Sequence, residues 1–414
     1  KAAYPKLESA SNAKAKTVTV DSGAQLNLAG FVITDDAGGT SFAPLENVGT
    51  LKMTGTSGQT TWLGKTAADD KITHKPGSTV AYYGTTNNAL WGGPYKNLTV
   101  EKDRKNISVM STSLKVDEKF TVESDPSDRS VTVDAPGQTY TGAANIGANT
   151  TFASSPSINF MQPVNAGVKN LLFSGGGAVF FDNTLNAGTV SAAGASSLTV
   201  NGTVTLSGDL KAKNLTVNTA TVTAAKIEVS QAATVTPAAI ITAPKQTYND
   251  TVTLSADTEF RASEKLILKG AVKVASKFTQ TGDAAVQIGA PITDTSSAEL
   301  SANKISFASK NIYFTDGTTL DPSNITITNR NDCNIFVAGN LTLKNELRCG
   351  NFVLFGGTVT FASSSGGITT TGDTVLLGAQ YKADDTGTSD PSGVTGLFTY
   401  NHDGRKSDSN PGGY

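Results

Sequence analysis

Gln138-Thr139-Tyr140-Thr141-Gly142-Ala143-Ala144-Asn145-Ile146-Gly147-Ala148-Asn149-Thr150-Thr151-Phe152 decides how this chain is read. Apolar and polar residues alternate in short runs, and the turns between runs are too brief to hold a helix. That is the pattern of short strands. The stretch also has a distant copy, because Gln246-Thr247-Tyr248 repeats its opening at an offset of 108 residues. Ala144, Ile146, Thr150, Phe152, Ile158, Phe160 and Val164 then match Val252, Leu254, Thr258, Phe260, Leu266, Leu268 and Val272. The alternate, mostly apolar set persists while the polar residues between drift. Units that stack on a shared core behave in this way.

The same pattern extends outward in both directions. Thr17-Val18-Thr19-Val20, Leu198-Thr199-Val200, Val204-Thr205-Leu206, Leu215-Thr216-Val217 and Val359-Thr360-Phe361 read as further strands. No stretch carries a sustained 3.6-residue apolar stripe, so little or no α-helix is expected. A short signature precedes many strands: Asn, then Leu, Ile or Phe, then any residue, then an apolar one. It starts at Asn97, Asn106, Asn170, Asn214, Asn311, Asn324, Asn334 and Asn340. Asn tolerates a corner conformation and bonds neighbouring backbone, so it suits the turn into each new face. Some of these also spell Asn-x-Ser/Thr, which the strand pattern produces by chance.

A coil of three strands with three short turns uses ~20 residues. The expected fold is therefore all-β, a parallel β-helix or β-solenoid, winding about twenty coils with a rise of ~4.8 Å each. Stacked sandwiches or antiparallel barrels are the alternative, but no Pro- or charge-rich linker divides the chain before residue 380. Three segments are expected: a β-rich region with aromatics at 1–110, solenoid repeats at 111–382, and a polar Gly/Ser/Asp-rich tail at 383–414.

Composition agrees with many strands and a real core. Of 414 residues 38% are hydrophobic, and 41 glycines add to the apolar share. Only 16% are charged, with Thr, Ser, Asn and Ala in their place. A net charge of −2 without blocks of like charge argues against a nucleic-acid partner. No run reaches the ~18 apolar residues of a membrane span. A chain starting at Lys1 reads as a processed segment whose targeting signal lies outside it.

Gly137-Gln138-Thr139-Tyr140-Thr141-Gly142, Lys169-Asn170-Leu171-Leu172-Phe173 and the Thr/Ala/Gly/Val-rich strands resemble the large secreted bacterial repeat proteins related to filamentous haemagglutinin. Pro76-Gly77-Ser78-Thr79-Val80-Ala81-Tyr82-Tyr83-Gly84, followed by Tyr95-Lys96-Asn97-Leu98-Thr99-Val100, looks similar to repeats in big bacterial surface proteins. The resemblance covers residues 17 to 380. It implies a right-handed parallel β-helix, secretion, and a role in adhesion or surface assembly. The chain departs from that family in lacking the hallmark of its secretion domain and a C-terminal membrane barrel.

Candidate sites are few. Cys333 and Cys349, the two cysteines, each precede an apolar run. Strands stacked ~4.8 Å apart fall within disulfide reach. A bridge between neighbouring coils is expected, with two unrelated thiols as the alternative. Trp62, Tyr82, Tyr83, Trp91 and Tyr95 concentrate the aromatics, either as a ligand-binding strip or as a cover for a solenoid end. Acidic residues are sparse and scattered, and His74 and His402 sit in polar contexts. No catalytic residue, cofactor or metal site is assigned. The acidic turns Asp35-Asp36 and Asp384, Asp385 and Asp390 read as solvated loops. The expected function is a non-catalytic structural or adhesive protein of the bacterial surface, self-associating into an oligomer or filament. Alternatives are an adhesin for glycan or host protein and a polysaccharide-degrading enzyme.

Overall fold

The computed structural model describes residues 14–406 apart from 36–41, 69–71, 86–89, 110–111, 125–129, 291, 295–304, 316, 321, 323–324, 329, 362–366, 378–379, 384–393 and 403–404. These residues form a β-solenoid, nearly all parallel β-structure in about 13 stacked turns. Its one described α-helix is Ser57–Ala68. The chain divides into two compact units, Lys1–Lys213 and Asn214–Tyr414.

Within the first unit a coil is three strands, such as Ser157–Phe160, Val164–Asn165 and Leu171–Ser174. They pair in register with Ala178–Phe181, Leu185–Ala187 and Val190–Ala192 of the next coil. The second unit repeats the scheme. Lys245–Tyr248 pairs with Lys265–Leu268, Val252–Leu254 with Val272–Val274, and Thr258–Arg261 with Phe278–Thr281. Parallel pairing in register places each inward residue directly on its counterpart one coil away. Every member of the repeated set, from Gln138 to Val164 and from Gln246 to Val272, is buried.

The glutamine of that set has its own reason to persist. The Gln138 amide donates to the carbonyls of Val133 and Ala153 at 3.1 and 2.7 Å, and accepts from the Tyr140 hydroxyl at 2.8 Å. Gln246 does the same with Ile241, Arg261 and Tyr248 at 3.2, 2.9 and 3.2 Å. Carbonyls turned inward at a corner need a donor, and a buried one left unpaired costs about 1–3 kcal/mol. Yet the two copies lie in different sheets. The 108-residue repeat is therefore out of phase with the coil, because every face asks for the same inward alternation.

The expected count of about twenty coils is too high. The ~20-residue coil holds in the repeated stretches, but other turns are longer. Thr50 pairs with Thr79 around the helix, and Ile288 pairs with Phe314. The segment expected as a polar tail contains strand Val394–His402, which pairs in parallel with Gly367–Leu377.

Candidate functional site

The aromatics singled out near the N-terminus turn inward. Trp62, Tyr82 and Tyr95 are buried, and Tyr83 and Trp91 are half-buried. The Trp62 indole donates to the Ala43 carbonyl at 2.8 Å. The Tyr82 and Tyr95 hydroxyls meet at 3.0 Å, and burial raises the pKa of both. Tyr83 donates to Asn27 at 2.7 Å. His74 stacks on Trp91 with ring centroids 5.7 Å apart, and burial together with Lys96 lowers its pKa to about 4. The cluster is core, so these rings do not form an open strip.

Both cysteines are buried free thiols where a bridge was expected. Asn334 pairs with Asn351, so Gly350 stands opposite Cys333, and the Gly350 amide donates to the Cys333 carbonyl at 2.8 Å. Cys349 precedes Gly350, and burial pushes both thiols up to about 12, with the neighbouring Cys333 adding to the shift at Cys349. Among the described residues no group of three His, Cys, Asp or Glu is placed to hold a metal. Asp36, Asp384, Asp385 and Asp390 lie outside the described residues, as does Asn324.

The open aromatic surface lies instead in the second unit, on the outer face of strands Asn311–Phe314, Asn334–Ala338 and Asn351–Phe355. The leading asparagines form a ladder. Asn334 donates to Asn311 at 2.9 Å, Asn351 donates to Asn334 at 2.7 Å, and the Asp373 amide donates to Asn351 at 2.6 Å. The Asn334 and Asn351 amides each donate to one neighbour and accept from the other, which works only when the strands are parallel and in register. Two residues on, period-two alternation points the next side chain outward as well. Tyr313, Phe336 and Val353 consequently form one row, preceded by Gln287 and Ile267 on the coils before. Tyr313 and Phe336 stack with centroids 4.6 Å apart and planes at 11°.

Beside this row runs a column of small side chains, Thr315 and Ala338, ended by Phe355. The result is an open hollow of about 440 Å³. Tyr313 and Phe336 wall it, Phe355 closes one end, and Lys265 and Gln287 flank it. Tyr313 is 39% exposed and Phe355 47%. Its lining offers apolar area with a single cation at the rim.

The chain matches no protein family, no curated protein and no solved structure. Geometry alone singles out this face. A signal for it was present in the sequence, in the third position of the Asn signature. That position is Thr or Ser after Asn97, Asn106, Asn214 and Asn340, but Tyr after Asn311 and Phe after Asn334.

Proposed function

We propose that this protein is a non-catalytic structural or adhesive protein of the bacterial surface, working through contacts made by the outer face of its solenoid. The observation that carries the reading is the aromatic-walled hollow on the second unit. Large apolar side chains held open on a rigid sheet mark a contact surface. Low charge density and the resemblance to filamentous haemagglutinin-like secreted proteins support the extracellular setting. No described helix is long and apolar enough to cross a membrane, which leaves strands unaddressed.

Glycan adhesion is the second reading, since aromatic rings stack on sugars. Tyr313 and Phe336, however, cover each other's inner faces. A sugar would find ring edges more than open faces, whereas protein side chains pack well against edges. Contact with protein is favoured for that reason.

The test replaces Phe336 with Asp in the full chain. A charge in the aromatic wall should abolish self-association in sedimentation and adhesion to host-cell or glycan surfaces, with far-ultraviolet circular dichroism unchanged. Retention of both properties at wild-type level would remove the reading.

A further inference from the structure

One face of the solenoid ends inside the second unit. Strand Ile325–Ile327 pairs with Ile305–Phe307 on one side, and the described strands that come after it all belong to other sheets. Ile305 and Phe307 are buried, whereas Ile325 and Ile327, in register with them, are only half-buried. Among the described residues, no ladder bond on this face ties Ile325–Ile327 to a following coil. A cavity of about 40 Å³ opens there, against Ile325, Ile327, Arg330 and Leu347.

Cys333 and Cys349 join the two segments beside this opening. Cys333 follows the short 3-10 helix Arg330–Asp332, and Cys349 ends strand Glu346–Cys349. Arg330 of the first segment and Glu346 to Arg348 of the second line the cavity. Both cysteine side chains are buried, and they flank one corner. The Cys333 carbonyl accepts from the Gly350 amide at 2.8 Å and from the Asn351 amide at 3.3 Å. Cys349 is thus one step along the chain from the residue opposite Cys333. The corner is tight, since a Cβ at Gly350 would stand 2.7 Å from the Asn331 carbonyl oxygen. A diagonal of ~4.8 Å across and ~3.3 Å along puts the two Cα atoms roughly 6 Å apart. A disulfide spans about 4.4–6.8 Å between Cα atoms.

We infer that Cys333 and Cys349 close into a disulfide when the chain folds in an oxidising medium, stapling the coil at which one face of the solenoid stops. The bridge ties the 3-10 segment to Glu346–Cys349, where one face's ladder is missing. It closes a short loop, because the cysteines are 16 positions apart, and so restricts the unfolded chain. The oxidant is a disulfide such as glutathione disulfide. One cysteine thiolate attacks it and expels a glutathione thiolate. The second cysteine thiolate then attacks the mixed disulfide and expels the other. The two protons lost from the cysteines end on the two glutathione thiols, so the products are one Cys333–Cys349 bond and two reduced glutathiones. Burial raises both thiols in the folded chain, which keeps them from ionising and places the exchange during folding. The inference concerns a coil interior and is independent of the contact-surface reading above.

The experiment refolds the full chain from urea in a buffer of reduced and oxidised glutathione, then denatures it without reductant and alkylates it. No free thiol should be labelled, and two should appear after reduction. Trypsin cuts after Lys344 and Arg348, between the cysteines. The peptides carrying Cys333 and Cys349 should therefore stay joined in mass spectrometry until reduced. Two labelled thiols, glutathione left on either cysteine, or a chain-to-chain bridge on a non-reducing gel would each overturn the inference.

Urea denaturation tests the staple itself. Reduction should move the wild-type midpoint to lower urea, and should leave the midpoint of the double variant Cys333→Ala with Cys349→Ala where it was. A wild-type midpoint unmoved by reduction, or an equal shift in the double variant, would overturn the staple. Should the double variant not fold, the thiol count and the joined peptides of the wild type decide the matter alone.

Discussion

Aromatic rings stack in rows both inside the first unit and outside the second. Inside, Tyr140 lies on Phe160 at 4.7 Å and 8°, and Phe160 on Phe181 at 5.0 Å and 4°. Outside, Tyr313 lies on Phe336 at 4.6 Å and 11°. The geometry is the same because parallel strands in register set the distance between rungs, and the side chain follows. Only strand parity differs. One residue's displacement along a strand turns a core stack into a contact surface, so the type of residue says nothing about its role until its side of the sheet is known.

The strongest way to break the comparison is to remove one ring from each row. Phe160→Ala should cost about 3–5 kcal/mol in urea denaturation, through lost burial and a residual cavity. A loss below ~1 kcal/mol would mean the inner stack does not set stability, against the usual range for buried Phe.

Protonation tests the interior a second way. The Asn47 amide nitrogen lies 3.4 Å from His74 Nδ1 and donates to the Thr79 carbonyl at 3.2 Å. With an N–H facing Nδ1, the neutral ring carries its proton on Nε2, which has no partner among the described residues. The folded pKa, about 4, lies below the ordinary 6.5. The unfolded chain therefore binds the extra proton first, and stability falls as pH drops from 6.5 toward 4. The loss should reach about 2–3 kcal/mol for a shift of this size. His74→Phe should flatten that pH dependence in denaturation measured across the window. An unchanged slope would count against a buried neutral His74.

The outer row is expected to respond more weakly. Asn334→Ala removes two ladder bonds on a half-buried face, and should cost about 1 kcal/mol. Hydrogen exchange should also rise in strands Asn311–Phe314 and Asn351–Phe355, and unchanged protection there would show that the ladder does not hold register. Phe336→Ala should cost about 1 kcal/mol, the ring being half-buried and stacked on Tyr313, while weakening assembly. A large stability loss in that variant would move Phe336 from contact surface to core.

How much of this was legible beforehand follows from the same parity argument. The inward set repeated between Gln138–Val164 and Gln246–Val272 could be read directly, because burial constrains it and all of it is buried. The coil count could not, since the helix Ser57–Ala68 and the longer turns interrupt a period that sequence shows only locally. The register around Cys333 and Cys349 could not be read beforehand either, because it depends on the pairing of Asn334 with Asn351. The aromatics from Trp62 to Tyr95 drew attention by density alone, and density does not say which way a ring points.

The sequence by itself determined the class of fold and the composition of the core. Short-period alternation and Asn-led turns leave few other ways to bury those residues. Tertiary structure decided which outward positions fall into line across coils. Tyr313, Phe336, Val353 and Phe355 are spread over 43 positions of the chain, and become one surface only when the asparagine ladder sets three strands in register. Contacts along a strand are local and legible, whereas contacts between coils depend on the length of every turn that separates them.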